Sequence, residues 1–132
     1  MPDKARPACV LVADDDADMR EWLREALEGA GYDVLEAANG KEAIRLLKAA
    51  KVDLFITDLF MPEQEGIETI RILRHEHPGL KVIAISGAFG EAFLRMAKIL
   101  GAAAVLQKPI RLDLLLQKVQ ELLREQGAAD SG

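Results

Sequence analysis

The chain has 132 residues, of which 50% are hydrophobic and 30% are charged, and this is the size and balance of one ordinary globular domain. The net charge of −5 and the lack of a Lys/Arg-rich block argue against a nucleic-acid surface. The single cysteine, Cys9, excludes an internal disulfide, and no apolar run is long enough for a signal peptide or a membrane span. These features predict a cytoplasmic protein that binds neither nucleic acid nor membrane.

Short apolar segments alternate with segments of helical periodicity along the whole chain. In chain order, the predicted elements are strand 8–13, helix 16–29, strand 32–37, helix 40–50, strand 53–57, helix 64–75, strand 81–85, helix 90–100, strand 104–107 and helix 111–126. Strict alternation predicts a parallel sheet with helices on both faces, joined by right-handed crossovers. The sequence therefore predicts an α/β domain over residues 8–126 with the flavodoxin-like (βα)5 strand order 2-1-3-4-5. Residues 1–7 and 127–132 are predicted to be flexible termini.

Polar residues stand at or just beyond the ends of four predicted strands. They are Asp14, Asp15, Asp58, Ser86 and Lys108. The C-terminal ends of parallel strands lie along one edge of a sheet, and sites form where the strand order reverses. We therefore expect these residues to converge into one acidic pocket that also holds a hydroxyl and an ammonium group.

The acidic residues of this pocket favour a metal. Asp16 is the natural N-cap of the first helix, but capping does not explain Asp14 and Asp15 at the strand end. Adjacent carboxylates repel each other unless a cation balances them. Mg²⁺ is bound in proteins by one or two carboxylates, waters and phosphate oxygens, so we predict a Mg²⁺ site here.

The remaining residues suit phosphoryl transfer. Asp58, opposite the acidic pair, is a candidate carboxylate nucleophile that would form an aspartyl-phosphate. Such a transfer needs mainly positioning, a metal and positive charge. Lys108, followed by Pro109, can supply the charge, and Ser86 can donate a hydrogen bond to a phosphate oxygen.

The segments that carry these residues resemble the receiver domains of two-component response regulators over about residues 8–126. The matching segments, in order, are VLVADDDADMR, DLFITDLFMP followed by Gly66, VIAISGA, and GAAAVLQKP. Each match is weak alone, but four in the right order and spacing are specific.

The resemblance implies a role for each position. Asp58 is expected to be the phospho-acceptor, Ser86 the switch hydroxyl and Lys108 the phosphate-binding lysine. Asp15, Asp58 and the backbone carbonyl of Phe60 are expected to bind Mg²⁺ directly, with Asp14 acting mostly through water. The family also implies a cis peptide bond between Lys108 and Pro109.

The same resemblance implies partners and a limited chemistry. The donor would be a sensor histidine kinase or a histidine phosphotransfer protein, and the output a contact with a downstream target protein. A monomer or weak dimer is expected, either as a stand-alone regulator or as the receiver of a hybrid kinase or of a longer regulator. Such a domain is no enzyme in the usual sense, because it catalyses only its own phosphorylation and dephosphorylation.

One position departs from the family pattern. Val105 occupies the place, three residues before the lysine, where relatives usually carry Tyr or Phe. Valine is stiff at χ1 and has no ring that could repack. We therefore expect signalling that does not depend on an aromatic rotamer, with Val105 as a passive surface residue.

A haloacid-dehalogenase-like phosphatase is the alternative function. It would use Asp14 as the nucleophile and Asp16 as the acid/base, with Ser86 and Lys108 binding phosphate. Those enzymes also need an acidic pair after the lysine, whereas the acids that follow Lys108 lie in or at the start of the last predicted helix. Turnover of small phosphorylated substrates would separate the two functions.

Overall fold

The computed structural model describes residues 7–58, 65–87, 95, 97–99 and 101–131. Its strands are β1 (Cys9–Ala13), β2 (Asp33–Ala37), β3 (Leu54–Asp58), β4 (Lys81–Ser86) and β5 (Ala104–Gln107). Its helices are α1 (Ala17–Gly29), α2 (Gly40–Ala49), α3 (Glu65–Glu76) and α4 (Leu112–Ser131). Residues 95 and 97–99 are also helical, and the rest of the helix predicted at 90–100 lies outside the described residues.

The strands form one parallel sheet in the order β2-β1-β3-β4-β5, which confirms the predicted topology. Alternate residues of each strand point to opposite faces, and each face is covered by an apolar layer. Leu11 and Phe55 pack with residues of α2 and α3, whereas Val10 and Ile56 pack with residues of α1 and α4. The sheet is therefore buried on both faces, and its edge is where polar side chains can meet.

Local signals explain where the helices around this edge begin. The Asp16 side chain accepts hydrogen bonds from the backbone N–H groups of Asp18 and Met19, as the N-cap prediction requires. Asn39 caps α2 in the same way through the N–H of Glu42. These caps start α1 and α2 close after β1 and β2 and keep the connecting turns short.

The last helix is longer than predicted. It continues to Ser131 instead of ending at residue 126, and the limits of the domain at 8 and 126 remain a prediction. The final residues carry no proline and include two alanines, the best helix formers, so Gly127 alone does not stop the helix. Among the helices of the described ranges, none combines the length and apolar character needed to cross a membrane.

Candidate functional site

The acidic residues meet where the strand order reverses. β1 lies between β2 and β3 in the sheet, and Ala13 at the end of β1 pairs with Thr57 of β3. Asp14 and Asp58 each follow directly on this pair, so the register places them side by side. Asp15 continues from Asp14 into the turn before α1.

The three carboxylates are close enough to share one cation. One carboxylate oxygen from each of Asp14, Asp15 and Asp58 lies within 4.8 Å of the other two. Asp14 and Asp58 are buried, with 1% and 6% of their surface exposed, whereas Asp15 is exposed. Hard oxygen donors, two of them buried and one open to solvent, fit the Mg²⁺ preference for a few carboxylates plus retained waters.

Lys108 contacts two of these carboxylates through its ammonium group. Its Nζ lies 2.9 Å from Oδ2 of Asp58 and 3.4 Å from Oδ2 of Asp14. Burial by itself lowers the pKa of Lys108, but the hydrogen bond to Asp58 and the charges of both carboxylates outweigh it and leave the pKa raised. The lysine is therefore held as a cation beside Asp58.

The surroundings of Asp14 disfavour its ionised form. Burial raises its pKa, and the negative charge of Asp58 adds to this effect. The N–H of Asp16, which donates to Oδ1 of Asp14 at 2.9 Å, and the charge of Lys108 lower the pKa without cancelling the rise. A bound cation would remove this penalty.

Ser86 is tied to Lys108 through the backbone. It is the last residue of β4 and is completely buried, and its carbonyl accepts a hydrogen bond from the N–H of Lys108 at 2.8 Å. The Lys108–Pro109 peptide bond is cis, as predicted. The predicted hydroxyl and ammonium donors thus stand on neighbouring strands. Phe60, predicted to offer its carbonyl, lies outside the described residues.

Two features differ from expectation or were missed. Val105 is partly buried and packs against the apolar layer that includes Ala84 and Ala97, so it is only in part the surface residue that we expected. Arg20, which sequence analysis did not single out, donates from Nη1 to the carbonyl oxygen of Asp14 at 2.6 Å. Arg20 lies one helical turn after the N-cap Asp16, and this spacing directs its side chain toward the turn that precedes the helix. The spacing was the feature of the sequence from which the contact could have been predicted.

The chain is similar to known proteins over most of its length. Residues 10–120 match the family model described as the response regulator receiver domain. The chain is 38% identical over 114 residues to the response regulator receiver protein CpdR of Brucella abortus, covering 86% of this chain and 95% of CpdR. It is 36% identical over 126 residues to the sensor kinase CckA of the same organism, covering 94% of this chain but only 13% of the kinase.

A solved structure has the same fold. The response regulator receiver domain protein (CheY-like) from Methanospirillum hungatei superposes with a TM-score of 0.87 at 28% sequence identity. The match covers 93% of this chain and 98% of that one. The phosphatase alternative draws no support from these comparisons.

Proposed function

The chain belongs to the family of response regulator receiver domains, which accept phosphoryl groups in signal transduction, and from this premise we propose that Asp58 is its phospho-acceptor. The observation that carries the proposal is the setting of Asp58. It ends β3 with the Lys108 ammonium 2.9 Å away and two further carboxylates within 4.8 Å. An aspartate so placed is both buried from bulk water and surrounded by groups that handle phosphoryl charge.

The reaction is a direct phosphoryl transfer to a carboxylate. An oxygen of Asp58 forms a bond to phosphorus while the bond from phosphorus to the donor nitrogen or oxygen breaks, and the donor atom keeps that electron pair. Asp15 and Asp58 would hold Mg²⁺ directly, with the Phe60 carbonyl as a third ligand and Asp14 acting mostly through water. When bound, Mg²⁺ neutralises negative charge on the transferred group.

Lys108 and Ser86 would bind the oxygens of the phosphoryl group once it is on Asp58. Lys108 already contacts Asp58, so its charge is in place to stabilise the equatorial oxygens. Ser86 ends the strand that pairs with β3, and its hydroxyl would donate to a phosphoryl oxygen. Both contacts are charge-assisted and therefore among the stronger hydrogen bonds.

The chemistry ends with the chain's own modification. A receiver domain is not a classical enzyme, and we propose that this one catalyses only its own phosphorylation and dephosphorylation. The donor would be a sensor histidine kinase or a histidine phosphotransfer protein, an inference supported by the similarity to CpdR and to part of the sensor kinase CckA. We further propose a cytoplasmic monomer or weak dimer that acts through a downstream target protein.

Phosphorylation by a small donor tests the acceptor. Incubation with acetyl phosphate and Mg²⁺ should add one phosphoryl group, labile to hydroxylamine as an acyl phosphate is, and intact mass measurement should detect it. Asp58→Ala should abolish the addition, because it removes the carboxylate that lies 2.9 Å from the Lys108 ammonium. Asp18→Ala, which removes an exposed acid in the first turn of α1, is the matched control and should be labelled as the wild type is. Stoichiometric labelling of Asp58→Ala would exclude Asp58 as the acceptor.

A further inference from the structure

Arg20 links the acidic turn to the sheet. Its Nη1 donates to the carbonyl oxygen of Asp14 at 2.6 Å, and its Nε lies 3.5 Å from Oε1 of Glu36. Only 18% of the Arg20 side chain and 29% of the Glu36 side chain are exposed. Glu36 stands on β2 beside Val12 of β1, so the carboxylate that holds Arg20 belongs to the strand next to the one leading into the turn.

The Asp14 carbonyl belongs to the peptide unit that joins Asp14 to Asp15. This unit is planar, so a donor that holds its oxygen also orients the backbone from which Asp15 departs. The Asp14 carboxylate has contacts of its own, with the N–H of Asp16 at 2.9 Å and the Nζ of Lys108 at 3.4 Å. Asp15, in contrast, is exposed, and its approach to the cluster depends on the turn backbone.

We propose that Arg20, held by Glu36, is a positioning residue for the metal ligand Asp15. This inference rests on the proposed function, since it concerns the same Mg²⁺ site. Residues that orient metal ligands usually change metal affinity by about 10- to 100-fold when they are replaced. Arg20 acts through the Asp14–Asp15 peptide unit and touches neither the metal nor the phosphoryl group.

The sign of the effect separates positioning from simple electrostatics. A guanidinium near an acidic site repels a divalent cation, so a purely electrostatic role predicts tighter Mg²⁺ binding once the charge of Arg20 is removed. Positioning predicts weaker binding. Replacement by lysine keeps the charge but removes the planar fork that serves Asp14 and Glu36 together.

Arg24 is the matched control. It lies one turn further along α1 and pairs with the same Glu36, at 2.9 Å from Nη1 to Oε2, and with Glu28 at 3.8 Å. Its side chain is 39% exposed, and within the described part of the chain its ion pairs are with these two glutamates. Arg24 therefore has the same charge as Arg20 and shares its partner Glu36. Substitutions at Arg24 leave the contact between Arg20 and the Asp14 carbonyl in place.

The test is a calorimetric Mg²⁺ titration of the full chain. Arg20→Lys should raise the Kd by about 10-fold, and Arg20→Gln should also raise it, although loss of the positive charge by itself would lower it. Arg24→Lys should stay within about twofold of the wild type, and Arg24→Gln should bind equally or more tightly. Glu36→Asp, which keeps the negative charge but shortens the side chain that holds Arg20, should raise the Kd and serves as a second variant should Arg20→Gln fail to fold.

Two further measurements decide between the possible outcomes. If Arg20 acts through Asp15, adding Arg20→Gln to Asp15→Asn should weaken Mg²⁺ binding no further, because the two changes are not independent. An Arg20→Lys variant that loses stability toward urea but keeps the wild-type Kd would overturn the inference and leave Arg20 a structural residue. Wild-type affinity in Asp15→Asn, or no Mg²⁺ binding by the wild type, would instead overturn the proposed metal site itself.

Discussion

Before any ligand binds, the burial of the Asp14 carboxylate lowers the stability of the folded chain. Burial raises the pKa of Asp14, and Lys108 keeps a raised pKa only because Asp58 and Asp14 face it. A buried carboxylate with a neighbouring like charge favours its neutral form. The charge on Asp14 therefore opposes folding at neutral pH, whereas the raised pKa of Lys108 favours the folded state there.

Asp14→Asn should stabilise the metal-free protein at pH 7 by about 1 kcal/mol, the usual size of a single-site effect. Asparagine removes the charge but keeps an oxygen that can accept from the N–H of Asp16. The folded pKa of Asp14 lies above its ordinary value of 3.8, so the folded protein binds more protons and loses stability as pH rises through that window. The gain should therefore be absent below the ordinary pKa and complete above the folded pKa.

Urea unfolding in EDTA at a series of pH values, followed by circular dichroism, measures this gain. Asp33→Asn, at an exposed acid at the start of β2, is the control and should change stability little. A gain from Asp14→Asn that is independent of pH would contradict the electrostatic explanation, as would a loss at pH 7.

At the level of elements, β4 and β5 connect the site to the rest of the molecule. Ser86 pairs with Gln107 in the strand register, and the backbone bond from Lys108 to Ser86 extends this ladder by one residue. A phosphoryl group on Asp58 would form new hydrogen bonds with the Ser86 hydroxyl and the Lys108 ammonium and so favour their movement toward it. A conformational equilibrium shifts only when a modification interacts more favourably with one of its states than with the other. Val105 of β5 is partly buried and packs against the apolar layer on one face of the sheet.

Ser86→Ala should blunt the response of the segment around β5 to phosphorylation, whereas Val105→Ala should leave it nearly intact. The reason is that the proposed contact with the phosphoryl group is made by the Ser86 hydroxyl and not by Val105. Hydrogen exchange over residues 97–107, with and without beryllofluoride as a phosphoryl mimic, provides the measurement. Because Val105 is half-buried, its variant should also unfold about 1–2 kcal/mol more easily, so each variant is compared with its own unliganded state. The reverse ranking would identify Val105 as the switch.

For the whole molecule, the three carboxylates of the proposed metal site come together only in the folded state. Its carboxylates come from residues 14, 15 and 58, and the sheet register between β1 and β3 is what brings them together. An unfolded chain holds these groups far apart on average. Binding of Mg²⁺ must therefore favour the folded state by mass action.

Mg²⁺ at about 100 times its Kd should raise the free energy of unfolding by about 2.7 kcal/mol. Asp15→Asn should lose most of this increase, because it removes a charged ligand from a site with few of them. Urea titrations with and without MgCl₂ at matched ionic strength, followed by Trp22 fluorescence, would show it. Equal stabilisation of the wild type and Asp15→Asn would mean that Mg²⁺ binds elsewhere.

Sequence by itself determined the architecture and predicted which residues would meet at one edge of the sheet. Alternation of apolar strands with helical periodicity is a local pattern, and parallel strand order leaves few topologies that such a pattern can adopt. Since every strand C-terminus must lie on one edge, Asp14, Asp58, Ser86 and Lys108 could be assigned to one place without coordinates. The cis bond before Pro109 followed from the family resemblance and was confirmed.

Tertiary structure alone decided which partners each side chain has. The contact of Arg20 with the Asp14 carbonyl joins an α1 side chain to a backbone group outside its helix, and its pairing with Glu36 depends on how α1 lies against β2. The partial burial of Val105 comes from an apolar layer whose residues are far apart in the chain, among them Leu11, Phe55 and Ala97. Rotamers, burial and the balance of charges around Asp14 and Lys108 arise from such long-range packing, which local sequence patterns do not encode.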